Sequence, residues 1–384
     1  MFIGIHSQAG QKKHSRANQP SRRTWFVALA MAGLALPIFG HSTAANASEA
    51  KNLHHVTFAV ADPSLSVSTA PYSSLPIALG FWKKEGLSVE IQPVSGGNAG
   101  VQAVGTGNAF MTETGMTSIY PGLLKDPNMR IPAVHKNLYF VVVTKNSAIH
   151  TAKELKGKNI GVQALSAASY YYGRAVVEAA GLNPDKDVHW IPVGVGFQAA
   201  AAEQNGTIDA YAGYDSINAK FGQLLHKELR VIPSPLNDMP GMLGWLVTKD
   251  SFDKKPDEVA GMLKGIFESM VWAQANPEAA IKIHWKMFPA SKPTNVSDEV
   301  AMKNAMEILT DRINLVYLPK DLKGPIGSAD LDQVQKTADF MAKNGFLKKP
   351  IQVKEFIDFS LLKKANDFDR AKIQQEAKNY HAGK

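Results

Sequence analysis

The chain has 384 residues, of which 45% are hydrophobic and 20% are charged, as in an ordinary globular protein. This length indicates two domains, each large enough to form its own core. Because the chain contains no cysteine, disulfides, thiolate metal sites, cysteine nucleophiles and a lipidated N-terminal cysteine are all excluded.

Residues 1–47 have the features of a cleavable export signal. A basic segment without acidic residues precedes an apolar run over residues 25–40, and Ala45-Asn46-Ala47 fits the small-residue cleavage rule. A membrane anchor is the alternative, but this run has 16 residues and contains Pro37, whereas about 20 apolar residues span a bilayer. The segment Ser21-Arg22-Arg23-Thr24-Trp25-Phe26 resembles a twin-arginine signal, with a general secretory signal as the alternative. Either signal predicts export from the cytoplasm.

Removing this leader also removes most of the apparent positive charge. The leader contains 5 of the 42 Lys and Arg residues and none of the 34 acidic residues, so the rest has 37 against 34, a net charge of +3. Its lysine pairs are not interleaved with aromatic residues, and we expect no nucleic-acid binding.

The stretch over residues 74–100 predicts a helix, a stop, a strand and a glycine loop that opens another helix. Leu75 and Trp82 recur at helical spacing, and Gly86 supplies the stop. Residues 87–92 alternate apolar and polar side chains, the period of a strand with one buried face. Gly96-Gly97-Asn98 then brings backbone N–H groups to a helix N-terminus, where an anionic or polar ligand can bind. An ordinary strand–turn–helix unit without a ligand is the alternative.

The remaining pattern alternates strands and helices. We predict a first strand over 55–61, a loop over 63–73, a strand over 108–112, a turn over 113–116 into a helix ending near 124, and strands within 130–144. A second unit follows, with strands over 158–162 and 190–193 and helices over 171–180 and 198–204. One more strand is predicted over 243–248. Helices over 259–275, 298–314, 330–344 and 353–380 follow, and Asn276 is expected to cap, and Pro277 to start, a further helix directly after the first of these.

Two segments, 104–115 and 204–215, share one pattern. Each has a helix end, a Gly turn, an Asn/Asp-Ala strand start and a turn that contains Gly and an acidic residue. Such a repeat predicts two similar α/β lobes, although chance similarity between two βα units is the alternative. Because ligands bind outside the carboxyl ends of strands in open α/β sheets, both acidic turns are expected to face one cleft.

Several separated motifs resemble the sulfonate/nitrate/taurine-type (NMT1/THI5-like) substrate-binding proteins of ABC importers. The motifs are Ala70-Pro71-Tyr72, residues 80–87, Gly206-Thr207-Ile208-Asp209-Ala210 and residues 272–280. Asn108 stands where the family's usual acid would be, a mild departure. The resemblance implies an α/β fold of the two-lobed periplasmic-binding-protein type 2, with a mixed sheet flanked by helices in each lobe and a helical C-terminal extension. It places the first lobe at 48–138 and 241–384, and the second at 139–240.

The same resemblance implies a periplasmic protein, cleaved near Ala47, that captures a small organic anion by hinge closure. A sulfonate, taurine, nitrate, aromatic or pyrimidine ligand fits this expectation. The expected partners are an ABC permease and ATPase in the inner membrane, and the protein itself is expected to be a monomer. A sensor instead of an importer is a second possible partner.

No catalytic motif is present, so we predict no enzyme, no catalytic residue, no metal site and no cofactor. The adjacent His54 and His55 are expected to be a strand end, and His135 to be structural. The alternative is an enzyme of the same fold, of the pyrimidine-precursor synthase or dehydratase type. The pyrimidine synthases and sulfinate desulfinases of this fold need cysteines, which this chain lacks.

The candidate ligand-binding residues follow from the fold that the resemblance implies. They lie at predicted strand ends and helix starts: Tyr72, Ser73, Gly97, Asn98, Glu113, Thr114, Asn137, Ser166, Ser169, Tyr170 and Asp215. Ser166 and Ser169 are expected to accept an anion, or else only to cap a helix. Glu113 and Asp215 are expected to hold an amine or ring N–H of the ligand, or else to cap the helices that follow them. Tyr72 and Tyr170 are expected to stack on its apolar part.

Overall fold

The computed structural model describes residues 53–165, 167–319 and 322–380, and its strands form two five-stranded sheets. The strands are β1 His54–Val60, β2 Leu87–Pro93, β3 Met111–Gly115, β4 Met129–Lys136, β5 Tyr139–Thr144, β6 Asn159–Val162, β7 His189–Pro192, β8 Ala210–Tyr214, β9 Leu229–Val231 and β10 Pro240–Thr248. The strand order is β2-β1-β3-β10-β4 in the first sheet and β7-β6-β8-β5-β9 in the second.

Helices flank both sheets. The α-helices are α1 Ser74–Ala78, α2 Phe81–Lys84, α3 Gly97–Gly105, α4 Met116–Leu123, α5 Ala168–Ala179, α6 Phe197–Gln204, α7 Asp215–Leu225, α8 Lys249–Lys254, α9 Pro256–Ala275, α10 Pro277–Met287, α11 Asp298–Asp311, α12 Leu331–Lys343, α13 Leu362–Ala365 and α14 Arg370–Asn379. Short 3₁₀ turns cover Val67–Tyr72, Ala152–Leu155, Pro235–Asp238, Pro289–Ser291 and Val353–Glu355, and Arg312–Tyr317 forms a π-helix.

The two sheets have the same construction, which confirms the predicted repeat. In the first sheet β1 pairs in parallel with β2 and β3, and β10 runs antiparallel to β3 and β4. In the second sheet β6 pairs in parallel with β7 and β8, and β5 runs antiparallel to β8 and β9. The predicted α/β class with two mixed sheets is therefore confirmed, and both sheets belong to one compact unit. The division into lobes at residues 138 and 240 stays a prediction.

The long helix α9 forms the centre of the larger core. Trp82 packs so close to it that a side-chain carbon on Gly265 would lie 2.5 Å from the indole ring, and Trp82 Nε1 donates to the Met262 carbonyl at 3.0 Å. The helix ends at Asn276, whose side-chain oxygen accepts from the Ala279 N–H at 3.1 Å and so caps α10 as predicted.

Three predicted elements were wrong in their bounds. The single helix predicted before Gly86 is two short helices, because Gly80 between them has a left-handed backbone with φ of 71°. The strand predicted over 108–112 is shifted to Met111–Gly115, so Glu113 lies in a strand rather than a turn. The long last helix is broken near Ile357, which bridges to Ile131 at the edge of the first sheet.

The predicted signal peptide lies outside the described residues. Within the described ranges, no helix combines the length and the apolar character needed to cross a bilayer.

Candidate functional site

A cleft of about 880 Å³ lies where strands of both sheets end. Its walls come from the segments that follow β1, β2, β3, β7 and β8, together with the π-helix. The lining residues that the argument below uses are Asp62, Tyr72, Gly97, Glu113, Thr114, Ser118, Tyr139, Val195, Tyr214, Ser216, Lys220 and Arg312. Because β1, β2 and β3 are parallel, as are β6, β7 and β8, their carboxyl ends bring these segments together.

Helix N-termini without side-chain caps open onto this cleft. The N-cap residues of α3, α4 and α6 are the glycines Gly96, Gly115 and Gly196, and none of them donates or accepts a side-chain cap. By contrast, helices α8, α10, α11, α12 and α14 are each capped by a side-chain oxygen. The uncapped ends leave backbone N–H groups and the positive end of each helix dipole available to a ligand.

Gly97, Thr114 and Ser118 lie together on the cleft wall where α3 and α4 begin, and this part of the wall is called here the hydroxyl pocket. A side-chain carbon on Gly97 would lie 2.1 Å from Thr114 Oγ1 and 2.5 Å from Ser118 Oγ, so the two hydroxyls pack directly against the Gly97 backbone and only glycine fits there. Neither hydroxyl forms a hydrogen bond with another described residue. The hydroxyl pocket therefore presents hydroxyl and backbone N–H donors to one small volume.

The floor of the cleft is a buried network of charged and tyrosine side chains. Arg312 on the π-helix donates through Nε and Nη2 to both carboxylate oxygens of Asp215, the second contact at 2.7 Å. Its Nη1 donates to the Tyr317 hydroxyl at 3.3 Å, and that hydroxyl donates to Glu113 Oε1 at 2.9 Å. The network thus joins the end of β8 in the second sheet to β3 in the first.

Burial sets the protonation of this network. It raises the pKa of Glu113 from 4.5 to about 7, although Arg312 and the hydrogen bond from Tyr317 oppose the rise. Burial also lowers the pKa of His135 to about 3, and Trp245 Nε1 donates to its Nε2 at 2.9 Å. The imidazole is therefore neutral at physiological pH and packs 4.9 Å from the Tyr317 ring, so His135 is structural, as predicted.

The other charged groups of the cleft differ in whether they already have hydrogen-bond or ion-pair partners within the protein. Asp62 accepts four hydrogen bonds from the backbones and hydroxyls of Ser64 and Ser66. These bonds lower its pKa, although burial raises it. Lys220 is exposed at the rim and forms no ion pair with any described residue. It is the cleft's available cation, since Arg312 is paired with Asp215.

Apolar and aromatic groups complete the walls. Tyr72 packs edge-on against Trp245 at 5.7 Å and against Tyr317 at 6.1 Å, and Tyr139 and Tyr214 also line the cleft. Val195 remains 41% exposed at the rim. The cleft thus has polar groups at the helix ends and on its floor and aromatic groups on its walls, which suits a ligand with an anionic head and an organic body.

A family model of NMT1/THI5-like proteins matches residues 75–280, more than half of the chain. The chain belongs to the NMT1/THI5-like family. An aliphatic sulfonates-binding protein of Bacillus subtilis (strain 168) is 24% identical over 227 residues, which make up 59% of this chain and 61% of that protein. The chain therefore spans less than two thirds of that relative's length.

Solved structures share the fold of this NMT1/THI5-like protein. The periplasmic aliphatic sulphonate-binding protein SsuA of Escherichia coli matches with a TM-score of 0.61 at 18% identity, over 79% of this chain and 92% of SsuA. SsuA of Xanthomonas axonopodis pv. citri, bound to MOPS, matches with a TM-score of 0.55 at 14% identity, over 79% and 98% of the two chains. The desulfurization enzyme DSZB matches with a TM-score of 0.53 at 17% identity, over 81% and 98%.

At these identities the likeness of the structures establishes the periplasmic-binding-protein fold alone. That fold was predicted, and it is confirmed. The sequence relative and both SsuA proteins are named as binding proteins, which agrees with the prediction that the chain is not an enzyme.

Four of the predicted site residues of this NMT1/THI5-like chain line the cleft: Tyr72, Gly97, Glu113 and Thr114. Asp215 lies directly behind the wall, 5% exposed, with its carboxylate bound to Arg312. Ser73 is buried, and its hydroxyl donates to the Thr69 carbonyl at 2.8 Å. Asn98 is exposed outside the cleft.

The other predicted residues lie away from the cleft lining. Asn137 is fully buried, where its side chain accepts from the Tyr139 N–H at 3.0 Å and so shapes the start of β5. Ser169 is buried within α5. Tyr170 lies in a separate surface depression, where it accepts from Arg174 Nη1 at 3.2 Å. Ser166 lies outside the described residues.

The sequence analysis missed Arg312, Tyr317, Asp62 and Lys220. Arg312 and Tyr317 belong to a π-helix that prolongs α11, and the sequence pattern there predicts only an ordinary helix. Asp62 lies just beyond the end of β1, and that position was the signal that would have found it. Lys220 lies in the middle of α7, where no strand end marks it. Among the described residues, no cluster of three or more carboxylate or imidazole groups is placed to hold a metal ion.

Proposed function

We propose that the protein is the solute-binding component of an ABC importer and captures a small organic anion of the sulfonate type. The observation that supports this best is the hydroxyl pocket, onto which two uncapped helix N-termini open. An anion at a helix N-terminus gains roughly 0.3–1 kcal/mol when exposed and up to about 2 kcal/mol when partly buried. Two relatives are named as aliphatic sulfonate-binding proteins, and these names support the same class of ligand.

The organic part of the ligand would lie on the aromatic wall. Tyr72, Tyr139 and Tyr214 offer ring faces and edges next to the hydroxyl pocket, and a cleft of about 880 Å³ is large enough for a small alkyl or aryl sulfonate. Taurine is a narrower version of this proposal, whereas nitrate and pyrimidine ligands are alternatives to it.

Capture would proceed by closure of two lobes divided at residues 138 and 240, with hinges near 138–145 and 231–247. Gly97 and Thr114 belong to the first lobe, whereas Tyr214 and Ser216 belong to the second, so a ligand touching both favours the closed state. A permease with its ATPase would then recognise the closed form. Residues 1–47 would be removed on export, and the mature protein would act in the periplasm as a monomer.

A thermal-shift screen of the purified protein tests the proposal. Its panel contains alkyl and aryl sulfonates, taurine, nitrate, aromatic carboxylates and thiamine pyrimidines. A ligand at 100 times its Kd adds about 2.7 kcal/mol to the free energy of unfolding, which raises the melting temperature by a few degrees. Recovery of the ligand unchanged is expected. Recovery of an altered ligand would favour an enzyme of the same fold, and stabilisation by none of the anions would contradict the proposal.

Two glycine-loop variants locate the site. Gly97→Ala places a methyl group in the hydroxyl pocket and is expected to weaken binding of the best anion about tenfold or more. Asn98→Ala, at the exposed neighbour outside the cleft, is the matched control and is expected to leave the Kd unchanged in isothermal titration calorimetry. Equal affinities of both variants and the wild type would place the anion elsewhere.

A further inference from the structure

The carboxylates at the cleft differ in how many of their acceptor positions are already used. An ionised carboxylate offers about four lone-pair positions. Asp62 accepts four hydrogen bonds from Ser64 and Ser66. Asp215 accepts two from Arg312 and one from the Ser216 N–H, and it lies behind the wall. Neither carboxylate therefore has much capacity left for a ligand.

Glu113 is different, because it lines the cleft and leaves most of its acceptor positions unused by the described residues. The Tyr317 hydroxyl donates to its Oε1 at 2.9 Å. The other acceptor positions are left for a ligand. Its chain neighbour Thr114 belongs to the hydroxyl pocket. Although successive side chains of a strand point to opposite faces, both residues line the same cleft near the end of β3. One small molecule can therefore touch both the hydroxyl pocket and Glu113.

We propose that Glu113 determines specificity by selecting anions that also carry a hydrogen-bond donor, such as an amine or a ring N–H. This inference rests on the proposed function, and it narrows the ligand class from any organic anion to one with a donor group beside the anionic head. An anion without a hydrogen-bond donor would place either apolar atoms or its own negative charge next to the buried Glu113 carboxylate. A donor-bearing anion would occupy the remaining acceptor positions.

The groups that surround Glu113 decide when it acts as an acceptor. The titratable and charged groups facing it come from the 3₁₀ turn, the π-helix and α7: Tyr72, Arg312, Tyr317 and Asp215. The Tyr317 hydroxyl donates to it, and Arg312 favours its ionised form. Its partner on the neighbouring strand β10 is Trp245, which does not titrate. With its pKa at about 7, Glu113 is largely ionised at mildly alkaline pH and protonated at mildly acidic pH.

Matched ligand pairs test the proposal in the wild-type protein. 4-Aminobenzenesulfonate and 4-methylbenzenesulfonate differ only in an amine against a methyl group, and 2-aminoethanesulfonate and propane-1-sulfonate give an aliphatic pair. Calorimetry at about pH 8, where Glu113 is ionised, is expected to show about a tenfold preference for the amino member of at least one pair. At about pH 5, where Glu113 is protonated, that preference is expected to fall to about twofold or less.

Glu113→Gln is the corresponding variant and is expected to lose most of the preference at both pH values. Glu268→Gln is the matched control, because Glu268 is also a buried carboxylate, 7% exposed, but lies on α9 outside the cleft. The control is expected to keep the wild-type preference. Equal binding of both members by the wild type, or an unchanged preference in Glu113→Gln, would overturn this inference and leave the proposed function standing. If the wild type bound no anion at all, the proposed function would fail and this inference with it.

Discussion

Glu113→Gln should also change how the stability of the protein depends on pH. The folded state raises the pKa of this carboxyl from 4.5 to about 7 through burial. Between these two values the folded protein therefore binds more protons at Glu113 than the unfolded chain does. The contribution of Glu113 to the free energy of unfolding is fully present below about pH 4.5 and falls as the pH rises to about 7. Glutamine does not titrate, so the variant escapes this loss.

The size of the effect follows from the shift itself. Each unit of pKa difference is worth about 1.4 kcal/mol, so a rise from 4.5 to about 7 gives at most about 3 kcal/mol. Relative to the wild type, Glu113→Gln is expected to gain about 2–3 kcal/mol of unfolding free energy between about pH 5 and about pH 8. Its absolute stability at the acidic end need not equal that of the wild type, because the test depends on the change with pH.

Urea denaturation of both proteins across this pH range provides the measurement. Burial also raises the pKa of Glu268 to about 7 and that of Asp311 to about 6, and lowers that of His284 to about 4, but these groups are common to both proteins and cancel in the difference. Glu355→Gln, at an exposed position, controls for loss of a surface carboxylate and should follow the wild type. A difference between Glu113→Gln and wild type that stays constant over the range would refute the reasoning, because Arg312 would then hold Glu113 ionised throughout.

Three further predictions follow from the charged groups and the leader. Asp215→Asn and Arg312→Met each leave one partner of a buried pair uncompensated and are expected to cost about 3–5 kcal/mol of unfolding free energy. The double variant should lose less than the sum, and additive losses in urea denaturation would contradict the pairing. Lys220→Met is expected to slow association of an anionic ligand and to reduce its salt dependence. If the association rates measured by stopped flow kept their salt dependence, the electrostatic attraction of the ligand would come from other residues. N-terminal sequencing of the exported protein is expected to begin just after Ala47, and an intact N-terminus would contradict the predicted signal peptide.

The sequence predicted best those elements whose signals are local. The apolar alternation over residues 87–92 became β2, and the Asn276-Pro277 junction became a helix cap because one side chain and one ring decide it. The repeat between 104–115 and 204–215 was informative for the same reason. Each copy contains a complete turn-and-strand unit, and the two copies form the equivalent strands β3 and β8.

The failures of the sequence analysis were decided by contacts distant in sequence. Gly80 permits a continuous helix as well as a break, and the broken form is the one in which Trp82 bonds to Met262 on α9. Likewise, the charged segment 353–380 has helical composition, but Ile357 pairs with Ile131 more than 200 positions earlier. No window of local sequence contains both partners of such a contact.

The same distinction explains the candidate site. Gly97, Glu113 and Thr114 lie at strand ends and in a glycine loop, which are local features, and they were predicted once the resemblance had implied the fold. Arg312 was not, because its role depends on Asp215 at the start of α7. The prediction for Asp215 was accordingly incomplete, since its acceptor capacity is directed to a guanidinium of the same chain.

The pairing of Arg312 with Asp215 restricts how this cleft can bind an anion. A guanidinium already neutralised by a carboxylate contributes little net positive charge, and a ligand that displaced Asp215 would leave that carboxylate buried and unpaired, at several kcal/mol. The anion is therefore better stabilised by neutral donors, namely the helix N–H groups and hydroxyls around Gly97. Exposed Lys220 supplies attraction at longer range. Within the proposed function, we therefore assign selectivity to the group that still has acceptor positions to fill, and in the described cleft that group is Glu113.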